Sequence, residues 1–322
     1  MIHRKELSKY LRKQFGKNGW ALLIYYGIMN VAVMLVAIFT SMSIAFQAAS
    51  DPSVNESVIA ERILEAVTSN GWGYLIAILI GVLVMFFWKK KEFCFKTIWQ
   101  GKRPMKMSDF LALLVIFTSG QAVSQLLTPL LVWIFGLMGI SLDAMINSAS
   151  GSSDSLSMFL YVCLLAPITE EILFRGLILR TLAPYGRKFA IFTSAFLFGI
   201  FHGNVIQTPY AFLVGLVLGY VAMEHSMLWA MVLHMFNNLL LGDTLSRVTG
   251  FMPIWAQQLI FFAVIWGCAL IALIVVIVRR KDIAKYLRSE KLHPIYLRSF
   301  FTSPGILVLT GVLVGNILLA LL

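Results

Sequence analysis

The chain has 322 residues, of which 59% are hydrophobic and 13% are charged, and its formal net charge is +11. Soluble domains contain about 45–50% apolar and about 25% charged residues, so this composition excludes an ordinary soluble protein and indicates many membrane spans. The positive charge is spread over loops between apolar runs, a distribution that reports membrane topology, and we predict no nucleic-acid partner.

Nine apolar runs follow one another and are candidate membrane spans. They cover residues 20–46, 72–88, 110–138, 157–183, 189–203, 209–223, 227–241, 254–278 and 303–322. A spanning helix needs about 20 residues, so the fifth to seventh runs are short and are expected inside a bundle, shielded by longer neighbours. The predicted fold is therefore all-α: a polytopic transmembrane helical bundle of about eight or nine spans with a buried polar cavity.

Basic residues recur in alternate loops, whereas the loops between them carry mainly Asp and Glu. They are Arg4, Lys5, Lys9, Arg12, Lys13, Lys17, Lys89, Lys90, Lys91, Lys96, Lys102, Arg103, Lys106, Arg187, Lys188, Arg279, Arg280, Lys281, Lys285, Arg288, Lys291 and Arg298. Basic loops stay in the cytoplasm, so we predict a cytoplasmic amino terminus and an external carboxyl terminus. These loops are also expected to attract anionic membrane lipid. No eukaryotic targeting signal is evident, which favours a bacterial plasma membrane.

The spans are expected to form three regions. Residues 1–156 would hold an amino-terminal interfacial segment, with a short amphipathic helix at 4–16, followed by three spans. Residues 157–241 would form a core of four spans that carries the polar residues. Residues 242–322 would add two spans joined by a basic cytoplasmic loop.

The fourth run contains two adjacent glutamates, Glu170 and Glu171. An ionisable side chain in hydrocarbon costs about 2.5–3.5 kcal/mol on insertion scales, so this pair is predicted to be functional. On a helix Glu171 and Arg175 are i,i+4 neighbours and can form an ion pair. Glu170 points about 100° away from its neighbour and remains free to act as a general base towards water. The alternative is a structural ion cluster of both glutamates with Arg175.

Two later runs each carry one histidine. His202 ends the fifth run, and His234 lies in the seventh with Asn238 four residues further on, on the same helix face. Taken alone, a histidine such as His202 is more often a satisfied structural residue than a catalyst. Together with Glu170, however, two imidazoles and one amide suit peptide-bond hydrolysis.

In that hypothesis Glu170, assisted by His202, activates water, while His234 and Asn238 donate hydrogen bonds to the developing oxyanion. Zinc is the alternative, with Glu170, His202 and His234 as its ligands. A HExxH sequence, which would favour zinc, is absent, and we therefore favour a mechanism without a cofactor.

These residues form three motifs that resemble those of a known family. The motifs are Glu170-Glu171-x-x-x-Arg175, Phe198-x-x-x-His202 and His234-x-x-x-Asn238. In this order they resemble the CPBP intramembrane proteases, or Abi family, which includes type II CAAX prenyl endopeptidases and bacteriocin-processing or immunity proteins. The resemblance covers roughly residues 157–241.

The resemblance implies a glutamate-type intramembrane endopeptidase with a polar cavity that is usually reached from the cytoplasm. By matching positions, Glu170 and His202 would activate water and His234 and Asn238 would form the oxyanion hole. Glu171 and Arg175 would have a supporting role.

The predicted function is therefore hydrolysis of a peptide bond in a membrane-associated peptide or protein tail. The substrate would be a CAAX tail, possibly prenylated, a bacteriocin leader or another membrane-bound peptide. One alternative is a non-catalytic immunity or scaffold protein of the same fold, although a binding role does not need all four polar residues. A proton-coupled transporter is a further alternative, and it predicts substrate flux that collapses with the proton gradient.

Overall fold

The structure is a computed structural model that describes residues 2–49, 55–88, 96, 99–149 and 155–321. Every regular element in these ranges is a helix, which confirms the all-α prediction. The predicted cytoplasmic residues Lys89, Lys90 and Lys91 lie outside the described residues.

The described helices are α1 (Ile2–Ala49), α2 (Glu56–Thr68), α3 (Trp72–Trp88), α4 (Met107–Gly136), α5 (Asp143–Ala149), α6 (Leu156–Tyr185), α7 (Arg187–Phe201), α8 (Gln207–Glu224), α9 (Met227–Asn237), α10 (Ile254–Val278), α11 (Arg280–Arg288), α12 (Pro294–Phe301) and α13 (Pro304–Leu319). Helix α6 includes two π-helical stretches, Leu160–Leu165 and Glu171–Leu179. Helix α9 continues into a third, Asn238–Thr244. Such stretches are rare in helices and are frequent at functional sites.

Five helical stretches of the described chain are long and apolar enough to cross a membrane. They are Arg4–Ala49, Glu56–Val84, Met107–Gly136, Leu156–Tyr185 and Ile254–Val278. A sixth is added if α12 and α13, which are bent by 59° to each other, form one broken span. The chain is therefore a multi-pass membrane protein, but the predicted count of eight or nine spans is not confirmed.

The difference in span count comes from α7, α8 and α9, which correspond to the fifth to seventh apolar runs. Helices α7 and α9 have only 15 and 11 residues. Many of their side chains are buried, as they are in α8, so these helices are covered by the longer ones around them. This agrees with the expectation that short polar runs lie inside the bundle.

Helices α7 and α8 approach each other closely because glycines replace larger residues at their crossing. A Cβ atom on Gly215 would lie 3.1 Å from the Cα of Ala195. A Cβ on Gly199 would lie 3.0 Å from the carbonyl oxygen of Thr208. Small residues at helix interfaces allow backbones to come this near, and His202, one of the catalytic candidates, directly follows α7.

The first helix differs from its prediction. A separate interfacial helix was expected at 4–16, but α1 runs without a break through this segment. Leu11 and Phe15 are each 1% exposed. The Phe15 ring lies 4.9 Å from that of Tyr185 and 5.4 Å from that of Phe189. Packing against these distant residues holds the basic segment on the bundle instead of leaving it on the lipid surface.

Basic segments from separate parts of the chain meet at one end of the bundle, which we call the basic end. Glu224, the last residue of α8, forms ion pairs with Lys102 at 3.8 Å, Arg103 at 3.9 Å and Arg187 at 2.6 Å. The Lys188 Nζ atom donates to the carbonyl oxygen of Leu287, in α11, at 2.6 Å. The structure therefore gathers the loop before α4, the start of α7 and the segment after α10 on the same side.

The start of α7 is capped by a residue that is distant in the sequence. Gly186 precedes the helix with φ +127° and has no side chain that could cap it. The Glu290 carboxylate instead accepts hydrogen bonds from the backbone N–H groups of Arg187 at 2.8 Å and Lys188 at 3.2 Å. A carboxylate here satisfies free amides and also interacts favourably with the helix dipole.

The opposite end of the bundle, which we call the far end, is built from the other set of loops. Asn204 donates to the carbonyl oxygen of Met145 at 2.8 Å, and Gln207 donates to that of Ala149 at 3.4 Å. The backbone N–H of Gly71 donates to the hydroxyl of Ser157 at 3.0 Å. The starts of α3, α6 and α8 and the end of α5 therefore meet here.

Candidate active site

A buried ion cluster lies at the core of the four-helix region. Glu171 and Arg175 are fully buried, and the Arg175 Nη1 atom donates to Glu171 Oε1 at 2.9 Å. Arg175 Nη2 also donates to the carbonyl oxygen of Gly215 at 3.2 Å, and its guanidinium lies 4.2 Å from the centre of the Phe198 ring. The i,i+4 pair expected from the sequence is present, and Arg175 has further partners that the sequence does not show.

His234 joins this cluster through its Nδ1 atom, which lies 3.0 Å from Glu171 Oε1. An ionised carboxylate can only accept hydrogen bonds, so the proton of this bond belongs to His234 Nδ1. The contact fixes the orientation of the ring and directs Nε2 towards Glu170, whose Oε2 atom lies 3.8 Å away. Glu171 therefore orients the His234 ring through Nδ1, and the Nε2 atom on the other side of the ring faces Glu170.

Glu170 differs from its neighbour in burial and in partners. Its side chain is 27% exposed whereas that of Glu171 is fully buried. No hydrogen bond to the Glu170 carboxylate is present among the described residues. Adjacent positions on one helix thus separate the two acids: one is held in an ion cluster, and the other is left free beside an open space.

That space is a cavity of about 380 Å³ inside the bundle. Its wall includes both Glu170 and His202, and it is completed by residues of α1, α3, α5, α6, α7 and α8. These are Tyr25, Met29, Tyr74, Ser148, Ala149, Met158, Tyr161, Val162, Ala166, Phe174, Phe198, Phe201 and Gln207. Ligand pockets in proteins occupy about 300–1,000 Å³, so the space suits a short peptide segment rather than a large partner.

His202 lies in the cavity wall because it directly follows the last residue of α7. Gly203 has φ +62° and ends the helix in the left-handed conformation that glycine adopts readily. The His202 Nδ1 atom lies 2.9 Å from the carbonyl oxygen of Phe198, which can only accept. The proton is therefore on Nδ1, and in the neutral ring Nε2 keeps a lone pair that can accept a hydrogen bond.

Asn238 lies beside the cavity without lining it. Its Nδ2 atom donates to the carbonyl oxygen of Val162, a residue of the wall, at 3.0 Å. Its Oδ1 atom accepts a longer hydrogen bond, of 3.4 Å, from Asn237. One N–H of the Asn238 amide is left over after these contacts. The structure therefore places Glu170 and His202 in the wall of one cavity and His234 3.8 Å from Glu170, whereas Asn238 lies one residue layer behind the wall.

The donor set does not fit a metal site. No group of three His, Cys, Asp or Glu side chains in the described chain is arranged to hold a metal ion. The predicted zinc ligands are Glu170, His202 and His234; Glu170 and His234 lie 3.8 Å apart, and neither forms a hydrogen bond or ion pair with His202 among the described residues. We therefore derive no step through a metal.

Sequence reasoning missed several residues of the cavity wall. Tyr25 comes from α1 and Tyr74 from α3, and the Tyr74 ring stacks on that of Tyr161 with 4.3 Å between centroids. Gln207 contributes a polar group from the start of α8. A tyrosine or glutamine in an apolar run is the only signal that the sequence offers, and it does not indicate which distant glutamate the residue will face.

Comparison with known proteins gives one match. Residues 152–240 match the family described as Rce1-like type II CAAX prenyl endopeptidase. No curated protein and no solved structure matches the chain. The matched segment nearly coincides with the predicted core of 157–241 and contains all three motifs, while the boundaries of the three predicted regions stay a prediction. The match supports the resemblance to the CPBP proteases: residues 152–240 of this chain are similar to the Rce1-like CAAX prenyl endopeptidase family.

Proposed function

We propose that this protein is a glutamate-type intramembrane endopeptidase that hydrolyses a peptide bond in a membrane-associated peptide or protein tail. The observation that carries the proposal is the position of Glu170. Its free carboxylate lines an internal cavity that also contains His202, and the Nε2 atom of His234 lies 3.8 Å from it. A free carboxylate beside two imidazoles at this depth has no structural purpose that the fold makes evident.

In the first step Glu170 takes a proton from a water molecule in the cavity. The water oxygen forms a bond to the carbonyl carbon of the substrate, and the electron pair of the C=O π bond moves to its oxygen. His202 holds the water in place, since its free Nε2 atom accepts a hydrogen bond from the second O–H of that water. Positioned proton transfer of this kind accelerates reactions by about 10²–10⁴-fold.

The negatively charged oxygen of the tetrahedral intermediate, the oxyanion, is then stabilised by hydrogen-bond donors. His234 already uses its Nδ1 proton on Glu171, so it can donate to the oxyanion only when Nε2 is protonated as well. Asn238 is the second donor of this proposal, and its side-chain amide has to turn away from the carbonyl oxygen of Val162 and into the cavity to reach the oxyanion. Loss of one such donor costs about 10²–10³-fold in rate in a characterised hydrolase.

In the last step Glu170 gives its proton to the amide nitrogen of the substrate. The oxyanion electron pair re-forms the C=O bond, the C–N bond breaks with its electron pair on nitrogen, and the products are a carboxylic acid and an amine. Glu171 and Arg175 take no part in bond making; they hold His234 in the orientation described above. The substrate classes are those predicted from the sequence: a CAAX tail with or without a prenyl group, a bacteriocin leader or another membrane-bound peptide. We further propose a bacterial plasma membrane with the amino terminus in the cytoplasm.

The test is hydrolysis of a quenched fluorescent peptide library by the full chain in liposomes. We expect Glu170→Gln to reduce the rate by at least about 10²-fold, because glutamine cannot accept the proton from water. Glu61→Gln is the matched control, since this glutamate lies on α2 away from the cavity. Full activity of Glu170→Gln would overturn the assignment.

A chelator provides the test of the zinc alternative. In the proposed mechanism the rate is unchanged after prolonged treatment with a chelator and dialysis. A loss of activity that added zinc restores would replace the glutamate mechanism by a metal-dependent one.

A further inference from the structure

We infer that the cavity of the proposed active site opens at the far end of the bundle, on the external face of the membrane, so that its substrates are peptide segments presented outside the cytoplasm. The inference rests on the proposed function for its substrate class. Its geometric part, the direction in which the cavity opens, stands on the packing alone.

The first step concerns α7 and α8, whose ends define the two faces. Helix α7 begins at Arg187, which is paired with Glu224 at the basic end, and is followed by His202 in the cavity wall. Fifteen helical residues rise about 22 Å, so His202 lies most of a membrane thickness away from that end. Helix α8 runs back from Gln207, also in the wall, to Glu224. Both helices therefore place the cavity opposite the basic end.

The second step concerns the residues at the mouth of the cavity. Ser148 and Ala149 end α5, Met158 lies in the first turn of α6, and Gln207 starts α8. All of them belong to the far end, and Gln207 is tied to Ala149 by its side-chain amide. None of the wall residues comes from the basic segments at 99–106, 187–188 or 279–298.

The third step concerns the side of the cavity that faces the basic end, which we call the floor. Towards the basic end the wall residue Glu170 is followed along α6 by Glu171, Phe174 and Arg175, each 0% exposed. Ser194, on α7, is also fully buried, and its hydroxyl donates to the carbonyl oxygen of Phe174 at 2.7 Å. Along α6 and α7 this packed layer lies between the cavity and the basic end.

The fourth step assigns the faces. Lys102, Arg103, Arg187 and Lys188 gather at the basic end, and positively charged loops remain in the cytoplasm. The far end is then external. This orientation differs from the cytoplasmic access that the family resemblance implies.

The consequence is a choice among the substrate classes. A prenylated tail is anchored in the cytoplasmic leaflet, on the wrong side of the packed floor. A peptide that has crossed the membrane, or the external juxtamembrane segment of an anchored protein, reaches the mouth directly. Tyr25, Tyr74 and Tyr161 suit such a segment, because their rings offer apolar surface and their hydroxyls offer hydrogen bonds to an extended backbone.

The test is the labelling of single cysteines in intact bacterial cells that express the full chain. In a background in which Cys94, Cys163 and Cys268 are replaced by alanine, Ser148→Cys reports on the far end. Lys102→Cys, equally exposed, is the matched control at the basic end. With a sulfonated maleimide that does not cross the inner membrane, we expect Ser148→Cys to be labelled in intact cells and Lys102→Cys only after permeabilisation. The reverse pattern, or labelling of both sites before permeabilisation, would overturn the inference.

Access to the cavity itself is tested with Gln207→Cys and a small charged thiosulfonate reagent. We expect modification of this cysteine in intact cells. Modification from the cytoplasmic side only, in inside-out vesicles, would contradict the inference. Neither measurement requires catalysis, so each can be repeated in the Glu170→Gln background.

Cleavage then separates this inference from the proposed function. We expect an impermeant quenched peptide to be cut when it is added to intact cells and not when it is added to sealed inside-out vesicles. Cleavage in the vesicles alone would overturn the external opening and leave the protease function standing. A chain that passes the labelling tests but cuts no peptide in cells, vesicles or detergent would remove the proposed function and, with it, the substrate class.

Discussion

Replacement of Arg175 by methionine is predicted to destabilise the protein by about 3 kcal/mol, because it leaves a buried carboxylate without its cation. Arg175 and Glu171 are both fully buried and are joined at 2.9 Å. Removal of one partner of such a pair costs about 3–5 kcal/mol. His234 remains bound to Glu171 Oε1 at 3.0 Å, and this residual contact places the expected loss at the lower end of that range.

The loss corresponds to a change of roughly 10²-fold in the unfolding equilibrium, at about 1.4 kcal/mol for each factor of ten. Unfolding in mixed micelles with increasing SDS, followed by tryptophan fluorescence, measures it directly. Arg288→Met is the matched control, since this arginine is exposed on α11, and such surface changes stay within about 0.5 kcal/mol.

The double variant Glu171→Gln with Arg175→Met tests the physical reason. Both charges are then removed, and replacement of a whole buried pair costs much less than breaking it. We expect the double variant to be more stable than Arg175→Met alone. The reasoning would be refuted if Arg175→Met alone costs under about 1 kcal/mol, or if the double variant is less stable than Arg175→Met. In either case the unpaired Glu171 charge would not explain the effect of removing Arg175.

Three further predictions concern positioning. Gly215→Val should lower the free energy of unfolding by about 1–3 kcal/mol in the same assay, because α7 leaves no room for the side chain. Gly267→Val is the control, since a Cβ at that position meets open space, and an equal loss of stability in both variants would contradict the packing argument. His202→Ala should reduce peptide hydrolysis by about 10²–10⁴-fold while the unfolding midpoint stays unchanged, and a parallel fall in stability would indicate a structural histidine instead. Asn204→Ala should cost about 1–2 kcal/mol, because its side chain caps the first amides of α8 and also bonds Met145; a loss within the error of the assay would show that the cap is dispensable.

The parts of the fold that depend on local apolar runs follow from the sequence. The predicted runs at 72–88 and 254–278 have the same limits as α3 and α10, because each is almost uniformly apolar and ends at a charged or turn-forming segment. The continuity of α1 does not follow from sequence, because it depends on the packing of Phe15 against α6 and α7, which are far along the chain. The predicted span count is not confirmed for a related reason: short helices such as α9 are stabilised by burial among their neighbours, which a hydropathy profile does not contain.

The candidate site also has some features that follow from the sequence and others that require the structure. Spacing alone predicts the Glu171–Arg175 pair and the separation of Glu170 from it, since both follow from the geometry of one helix. The link between His234 and Glu171 requires two helices to meet and is visible only in the structure. The side on which the cavity opens is likewise a property of the assembled bundle. The assignment of catalytic roles stays a prediction.

The cap that Glu290 provides for α7 limits how far the protein can be shortened. A fragment restricted to residues 152–240 retains every motif but loses the Glu290 carboxylate that satisfies the amides of Arg187 and Lys188, and it also loses Tyr25 of the cavity wall. Helix α7 of such a fragment would start with unpaired amides, and the cavity would lack part of its wall. The segment that carries the motifs is therefore not a transplantable module, and trimming for crystallisation or grafting has to spare the regions on both sides of it.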